Sequence, residues 1–235
     1  MPDATLPKAR HRPSALVLAL ALAAALPAPG RADPQPSSTA PPMADSMADS
    51  MAGRLNAAAL ERTLARVTYD PSYLRLAYPG GDVPADRGVC ADVVVRVYRA
   101  LGIDLQQLVH EDMTAAFEAY PRHWGLTRPD PNIDHRRVPN LEAFLKRRGA
   151  ALTVTGDPAD YRPGDIVAWN LRGNPNGGGG FLPHIGIVTD RIAASGRPQV
   201  VHNIGAGPKL EDVLFDWPIT GHYRWLPEAF AEAGG

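Results

Sequence analysis

A single cysteine and two distant histidines are the residues of this sequence whose types suit covalent catalysis. Cys90 is the only cysteine in 235 residues. It opens a segment in which Val94, Val97 and Leu101 recur at helical spacing, which places it in the first turn of a predicted helix. The free N–H groups and partial positive charge at such a helix start favour the thiolate over the thiol and can hold an oxyanion. This pattern predicts a nucleophilic cysteine.

The two histidines stand at the edges of strand-like runs and are the candidate partners of the thiol. His184 enters the run 185–189, and His202 ends the run 199–202. If these runs are adjacent antiparallel strands, the imidazoles lie side by side, where one could take the thiol proton and a second polar group could fix its tautomer. Asn203 is an alternative orienting group, on the opposite face of the strand. A hydrogen-bonded edge histidine without catalytic use is the alternative interpretation of His184.

The N-terminal residues 1–32 have the pattern of a signal peptide. Basic residues precede an uncharged apolar run at about 15–28, and small residues up to Ala32 offer a cleavage site. The run is shorter than the roughly 20 residues that a membrane span needs. We therefore predict a periplasmic or secreted protein cleaved near Ala32, with no membrane contact beyond a possible uncleaved signal.

A lone cysteine is unusual in an exported protein, because disulfides are the common use of cysteine outside the cytoplasm. Cys90 cannot pair within its own chain. It could instead fill a small apolar space in the core or form an intermolecular disulfide. Of these three roles we favour the reactive thiol.

The rest of the chain divides into a tether and one domain. Residues 33–54 are rich in Pro, Ser and Ala and show no regular spacing of apolar residues that could form the buried face of a helix or strand. This composition predicts a disordered tether. Residues 55–235 form the predicted domain, with helical patterns first and short β-branched or aromatic runs afterwards. The predicted helices are 55–67, 90–101, 112–119 and 140–149, and the predicted strands are 166–169, 185–189, 199–202 and 223–226.

This order of elements predicts an α+β fold, in which N-terminal helices pack on a small antiparallel sheet. The formal net charge of −1, with both signs mixed along the chain, gives no electrostatic reason to expect nucleic acid as a partner. Charge and composition alone therefore indicate a globular exported domain and leave its oligomeric state open.

Four segments together resemble a known family. They are Tyr78-Pro79-Gly80-Gly81 before the cysteine, residues 161–169 (YRPGDIVAW), residues 184–188 (HIGIV) and residues 201–202 (VH). In order and spacing they resemble the NlpC-like, papain-like peptidases of the bacterial cell wall. The stretches 132–137 (NIDHRR) and 220–224 (TGHYR) more narrowly resemble an exported bacterial family of unknown function, DUF1287.

This resemblance implies a papain-like, NlpC-type fold in which Cys90 is the nucleophile, His184 the general base and His202 the third catalytic member. It also implies that Tyr78 lines the site near the oxyanion and contacts substrate. Where the family has an aspartate directly before the cysteine, this chain has Asp92 two positions after it. We assign Asp92 to substrate binding.

A second polar cluster surrounds His135. Arg136 and Arg137 follow this histidine and could clamp a substrate carboxylate, since arginine makes bidentate contacts with such groups. A network that supports a loop is the alternative interpretation. The spacing of ligand-type residues does not suit a zinc site, so we predict no metal there, and the proposed chemistry needs no cofactor.

Together these features predict an exported cysteine hydrolase, an endopeptidase or amidase, that cleaves amide bonds in peptidoglycan stem peptides or their fragments. The substrate is inferred from the resemblance and the predicted compartment. Two alternatives stay open: an acyltransferase that uses the same Cys–His site, and a cell-wall-binding or adaptor module without turnover.

Overall fold

The fold is described by a computed structural model for residues 50–173 and 180–227. Its α-helices are α1 (Met51–Arg62), α2 (Cys90–Ala100), α3 (Leu105–Ala115) and α4 (Val138–Arg147). Its strands are β1 (Thr68–Tyr69), β2 (Arg87–Gly88), β3 (Ala151–Leu152), β4 (Ile166–Asn170), β5 (Pro183–Ile192), β6 (Pro198–His202), β7 (Lys209–Glu211) and β8 (Ile219–Tyr223). Short 3₁₀ turns lie at Phe117–Ala119, Asp134–Arg136 and Pro158–Asp160. The predicted signal peptide and the tether up to residue 49 lie outside the described residues.

Six of the strands form one antiparallel sheet in the order β3-β8-β4-β5-β6-β7. β1 and β2 form a separate parallel pair immediately before α2. Helices therefore pack with an antiparallel sheet, and the predicted α+β class is confirmed. The sheet ends in two very short edge strands, β3 and β7.

The sheet has one face in the main core and a second face with its own apolar cluster. Ile185 and Ile187 of β5 join the main core together with the buried residues of α2 and α4. Val188 packs instead with Trp169 on the second face. Because successive side chains of a strand alternate between faces, His184 also lies on the second face, stacked on Trp169.

The helix predicted to begin at Cys90 is confirmed, and two local signals define it. The N–H of Val89 donates to the Asp92 carboxylate at 2.6 Å, so an acidic side chain in the first turn satisfies a backbone donor just before the helix. Gly102, with φ +83°, follows the last turn and provides the left-handed conformation that commonly ends helices. Most of α2 is buried between these two points.

The structure corrects the starts of two other predicted helices. α1 begins at Met51, inside the predicted tether, because the Ser50 side chain accepts a backbone N–H of its first turn at 3.1 Å. The helix predicted at 112–119 begins instead at Leu105, where the Asp104 carboxylate accepts a first-turn N–H at 3.0 Å. In both cases the capping side chain, rather than the spacing of apolar residues, determines where the helix begins.

Several strands also differ from prediction. β1, β2, β3 and β7 have two or three residues each, too few for an alternating pattern to be visible in the sequence. The last strand, predicted at 223–226, is β8 at Ile219–Tyr223, where Gly221 and His222 pair with β4. α1 also ends at Arg62 rather than near residue 67.

A buried ion pair ties the start of α2 to a distant turn. The Arg136 guanidinium contacts both carboxylate oxygens of Asp92, at 2.9 and 3.0 Å, and the two side chains are 2% and 3% exposed. The same guanidinium donates to the backbone carbonyls of Ser72 and Asp70. The pair therefore joins α2, the 3₁₀ turn Asp134–Arg136 and the segment after β1 in one network.

Replacing Arg136 by methionine should destabilise the fold by about 3–5 kcal/mol, because it leaves the Asp92 carboxylate buried without a counter-charge. Urea unfolding followed by circular dichroism measures this change. Arg87→Met is the matched control: Arg87 pairs with Asp70 but is 52% exposed, so its loss should cost under about 1 kcal/mol. Equal losses in the two variants would contradict a special role for the buried pair.

Candidate active site

Cys90 lies where α2, the β1–β2 pair and the end of β6 meet. β1 and β2 pair Tyr69 with Gly88, just before the cysteine. Asn203, which follows β6, donates its side-chain amide to the Gly88 carbonyl at 3.3 Å. Cys90 is 5% exposed and lines a cavity of about 380 Å³, here named the Cys90 cavity. Its other lining residues include Tyr69, Trp124, Arg136, Arg137, Pro139 and Pro183.

Burial, rather than the helix start, dominates the protonation of the Cys90 thiol. The backbone N–H groups of Ile185, Ala91 and Cys90 itself lower the pKa of the thiol and so favour the thiolate. Desolvation outweighs them and raises the pKa of the thiol to about 12. The helix start therefore acts in the predicted direction, but burial of the sulfur exceeds its effect. The thiol is neutral near pH 7 and needs a base to become a nucleophile.

The two predicted histidines form a hydrogen-bonded pair. His184 Nε2 and His202 Nδ1 are 2.7 Å apart. His202 Nε2 lies 2.8 Å from the Glu211 carboxylate, so the pair continues to a residue of β7. Both histidines are buried, whereas the Glu211 side chain is 38% exposed. The hydrogen-bonded side chains of His184, His202 and Glu211 thus extend from the buried part of the sheet to its edge strand.

Strand register and one glycine bring the histidines together. His202 of β6 is directly opposite Gly186 of β5, and His184 lies on the same face of β5 as that glycine. A Cβ added at Gly186 would lie 3.0 Å from the His202 Cβ and 2.8 Å from Cγ1 of Val200. Glycine therefore allows the two strands to approach closely at the point where the imidazoles meet.

Burial keeps both imidazoles neutral. Trp169 stacks on His184 at 5.7 Å between ring centroids, and Trp217 lies 6.2 Å from each imidazole. Desolvation, together with the neighbouring imidazole, lowers the pKa of His184 to about 3. Desolvation also lowers the pKa of His202, and the Glu211 carboxylate partly opposes this shift. Near neutral pH His184 is therefore available as an unprotonated base.

The residues on either side of His184 reach the cysteine. Pro183 lines the Cys90 cavity. The backbone N–H of Ile185 is close enough to the Cys90 sulfur to lower the pKa of the thiol. The start of β5, which carries His184, therefore lies beside Cys90.

Asn203, the alternative orienting group, has other contacts. Its side-chain oxygen accepts the N–H of Gly205 at 3.1 Å, while its amide donates to Gly88. The side chain hydrogen-bonded to His184 is that of His202. Of these two candidates, His202 is therefore the one that contacts the His184 imidazole.

Tyr69, rather than Tyr78, is the tyrosine beside the thiol. Tyr78, predicted to line the site, is exposed and packs edge-on against His110 at 4.9 Å between ring centroids, away from the Cys90 cavity. Tyr69 lines that cavity. Burial, with smaller contributions from Cys90 and Asp92, raises the pKa of Tyr69 to about 12. The Tyr69 hydroxyl therefore stays protonated and can donate a hydrogen bond.

The positions of Asp92 and Arg136 do not suit the substrate contacts predicted for them. Asp92 is buried and accepts from the Val89 backbone and from Arg136. Arg136 lines the Cys90 cavity, but four of its hydrogen bonds go to Asp92 and to two backbone carbonyls. A guanidinium has five N–H donors, so Arg136 cannot also hold a carboxylate in a bidentate manner. Both residues shape the site from inside the protein.

Arg137 is the arginine that keeps donors for a ligand. It donates to Asp134 at 3.0 Å, and its guanidinium carbon lies 4.1 Å from the centre of the Trp124 ring. Its side chain is 16% exposed, and both Arg137 and Trp124 line the Cys90 cavity. Arg137 therefore presents a positive charge, supported by an aromatic face, beside the thiol.

Three residues of the site are missing from the sequence-based prediction: Tyr69, Trp124 and Glu211. Tyr69 and Glu211 lie in strands of two and three residues. Trp124 lies in a loop, where no periodic pattern marks a contact. The three-residue run Lys209–Glu211 is too short to mark Glu211 as a partner for His202.

Metal and membrane features can be stated for residues 50–173 and 180–227. No group of three or more His, Cys, Asp or Glu side chains in these ranges could hold a metal ion. No helix within the same ranges is long and apolar enough to cross a membrane.

Comparison with known proteins identifies the family of the chain. The uncharacterized protein YijF of Escherichia coli strain K12 is 55% identical to it over 158 residues, which cover 67% of this chain and 74% of that protein. No solved structure matches the chain. The family model for the domain of unknown function DUF1287 matches residues 56–225, a range that includes Cys90, His184, His202 and Glu211. This protein therefore belongs to the DUF1287 family.

Proposed function

We propose that this protein is a papain-like, NlpC-type cysteine hydrolase that cleaves amide bonds. The observation that carries the proposal is the position of the Cys90 thiol at a helix start, in contact with the strand that holds the His184–His202 pair. A thiol, a histidine base and a group that orients this base are what acyl transfer by cysteine requires. The helix-plus-sheet arrangement that presents them supports the resemblance to NlpC-like peptidases.

In the first half of the proposed reaction, the Cys90 sulfur attacks the carbonyl carbon of the amide. His184 accepts the thiol proton as the C–S bond forms, so no free thiolate has to form in a buried place. The carbonyl oxygen becomes an oxyanion, for which the N–H groups at the start of α2 and the Tyr69 hydroxyl are the proposed donors. The C–N bond then breaks, and the amine leaves with the proton from His184.

In the second half, water releases the acyl group from Cys90. His184 takes a proton from the water as its oxygen attacks the thioester carbon, and the C–S bond breaks as the carboxylic acid forms. The proton on His184 returns to the sulfur. An amine or alcohol in place of water would make the protein an acyltransferase, which is the alternative reaction for the same site.

We propose peptidoglycan stem peptides or their fragments as the substrate, and the periplasm or the cell exterior as the place of action. The signal-peptide pattern of residues 1–32 and the resemblance to cell-wall peptidases support this proposal. The charge of the Cys90 cavity adds a second argument, because Arg137 offers a cation and stem peptides carry free carboxylates.

Incubation of the mature protein with purified peptidoglycan and its soluble fragments should give products that have gained water across an amide bond. Mass spectrometry of the products identifies this bond. Cys90→Ala and His184→Ala should each lower the rate by roughly 10³-fold or more, because they remove the nucleophile and the base. His110→Ala, a histidine that packs on Tyr78 outside the site, is the matched control and should keep the rate.

Two outcomes would contradict this assignment. Equal product formation by Cys90→Ala would exclude Cys90 as the nucleophile. The absence of products from every variant, with a Cys90 thiol that iodoacetamide does not modify near neutral pH, would favour a wall-binding module without turnover.

Arg137→Gln should raise the Michaelis constant for a peptide with a free carboxylate roughly 10- to 100-fold, since a hydrogen bond to a charged group contributes about 1.5–3 kcal/mol. The turnover number should change little. The same peptide with a carboxamide in that place should be bound equally by both proteins. Arg191→Gln, which breaks an exposed pair with Asp190 and does not line the Cys90 cavity, is the control. Equal effects of Arg137→Gln on the two peptides would contradict a carboxylate site.

A further inference from the structure

We infer that Glu211 is a positioning residue that determines which ring nitrogens of His202 and His184 carry protons. The inference rests on the proposed function, because it concerns the same thiol and imidazoles. Glu211 lies on the edge strand β7, does not line the Cys90 cavity and contacts the site through His202 alone.

The hydrogen bonds fix the protons one after another. A glutamate carboxylate only accepts hydrogen bonds, so the contact between Glu211 and His202 Nε2 requires a proton on this nitrogen. In a neutral His202 the other nitrogen, Nδ1, then carries a lone pair and accepts from His184 Nε2. His184 is therefore protonated at Nε2, and its Nδ1 keeps the lone pair that a general base needs.

The opposite arrangement would disable the base. If His202 carried its proton on Nδ1, it would donate to His184 Nε2, and a neutral His184 would hold its proton on Nδ1. That nitrogen could not accept the proton of the Cys90 thiol. The two arrangements use the same His184–His202 contact, so the carboxylate of Glu211 is the feature that distinguishes them.

Glu211 also influences the charge that develops during the reaction. Proton transfer from the thiol leaves His184 positive, and the Glu211 carboxylate lies at the far end of the same hydrogen-bonded chain. Lys209, on the same strand, opposes it by lowering the pKa of His202. The other strands and loops packed against the imidazoles contribute the uncharged rings of Trp169 and Trp217.

The other titratable groups of the site lie near the thiol rather than the imidazoles, and among them Arg137 lines the Cys90 cavity. Asp92 and Tyr69 lie near Cys90, and the Asp92 charge is balanced by Arg136. These groups are unchanged when Glu211 is replaced. A change at Glu211 therefore reports on the histidine chain and not on the surroundings of the sulfur.

The test is the rate of Cys90 alkylation by iodoacetamide as a function of pH, which needs no substrate. Glu211→Gln keeps an oxygen that can accept from His202 but removes the negative charge. Because a nearby negative charge raises the pKa of a thiol–imidazole pair, both limbs of the pH profile should move to lower pH by roughly half a unit to one unit. Glu211→Leu also removes the acceptor and should lower the plateau rate by roughly tenfold or more, since the base then populates the wrong tautomer.

The control is Asp216→Asn, which removes a 45% exposed carboxylate beyond β7 and should leave the profile unchanged. ¹⁵N NMR of the imidazoles should show both histidines protonated at Nε2 in the native protein, and a changed pattern in Glu211→Leu. If both Glu211 variants keep the pH profile, the plateau rate and the histidine tautomers of the native protein, the inference is wrong. That result would leave the proposed function intact. A native alkylation rate that His184→Ala does not reduce would overturn the proposed function, and this inference with it.

Discussion

The buried ion pair between Asp92 and Arg136 is the interaction on which the geometry of the site depends. An isolated charge at either position would be strongly unfavourable, and each is stable because the other contacts it at two points. The same carboxylate accepts the N–H just before Cys90, and the same guanidinium donates to the chain just after Tyr69. Charges that do not contact substrate therefore set the positions of the thiol and of the tyrosine beside it.

This buried setting decides how the thiol can react. A helix N-terminus contributes about 0.3–1 kcal/mol to a nearby anion, which is less than one pKa unit. Burial moves the pKa of Cys90 from its ordinary 9.0 to about 12, so the helix start cannot yield a thiolate by itself. In the proposed mechanism, activation therefore falls to the imidazoles, whose own burial keeps them neutral and able to accept a proton. The same desolvation that suppresses the thiolate thus preserves the base.

The sequence predicts the parts of this site that follow from local patterns. The positions of Cys90 at a helix start and of the two histidines at strand edges can be predicted, because apolar residues recur at regular spacing in α2, β5 and β6. Glu211 and Tyr69 are not predicted, because their strands are too short to show an alternation of polar and apolar residues. The partner of Asp92 escapes prediction for another reason: Arg136 lies 44 residues away, and a sequence does not show whether an arginine is exposed or has its donors engaged by a buried carboxylate.

The chain separates the groups proposed for chemistry from those proposed for substrate choice. The imidazoles and Glu211 come from adjacent strands β5, β6 and β7, whereas Trp124 and Arg137 come from the segment between α2 and β4. Substitution in that segment can alter the size and charge of the Cys90 cavity without moving the His184–His202 pair. Arg136 is the exception, because it lies in the same segment but holds the start of α2 through Asp92. A change at Arg137 alters the charge of the Cys90 cavity and its pair with Asp134, whereas a change at Arg136 removes the partner of Asp92 at the start of α2.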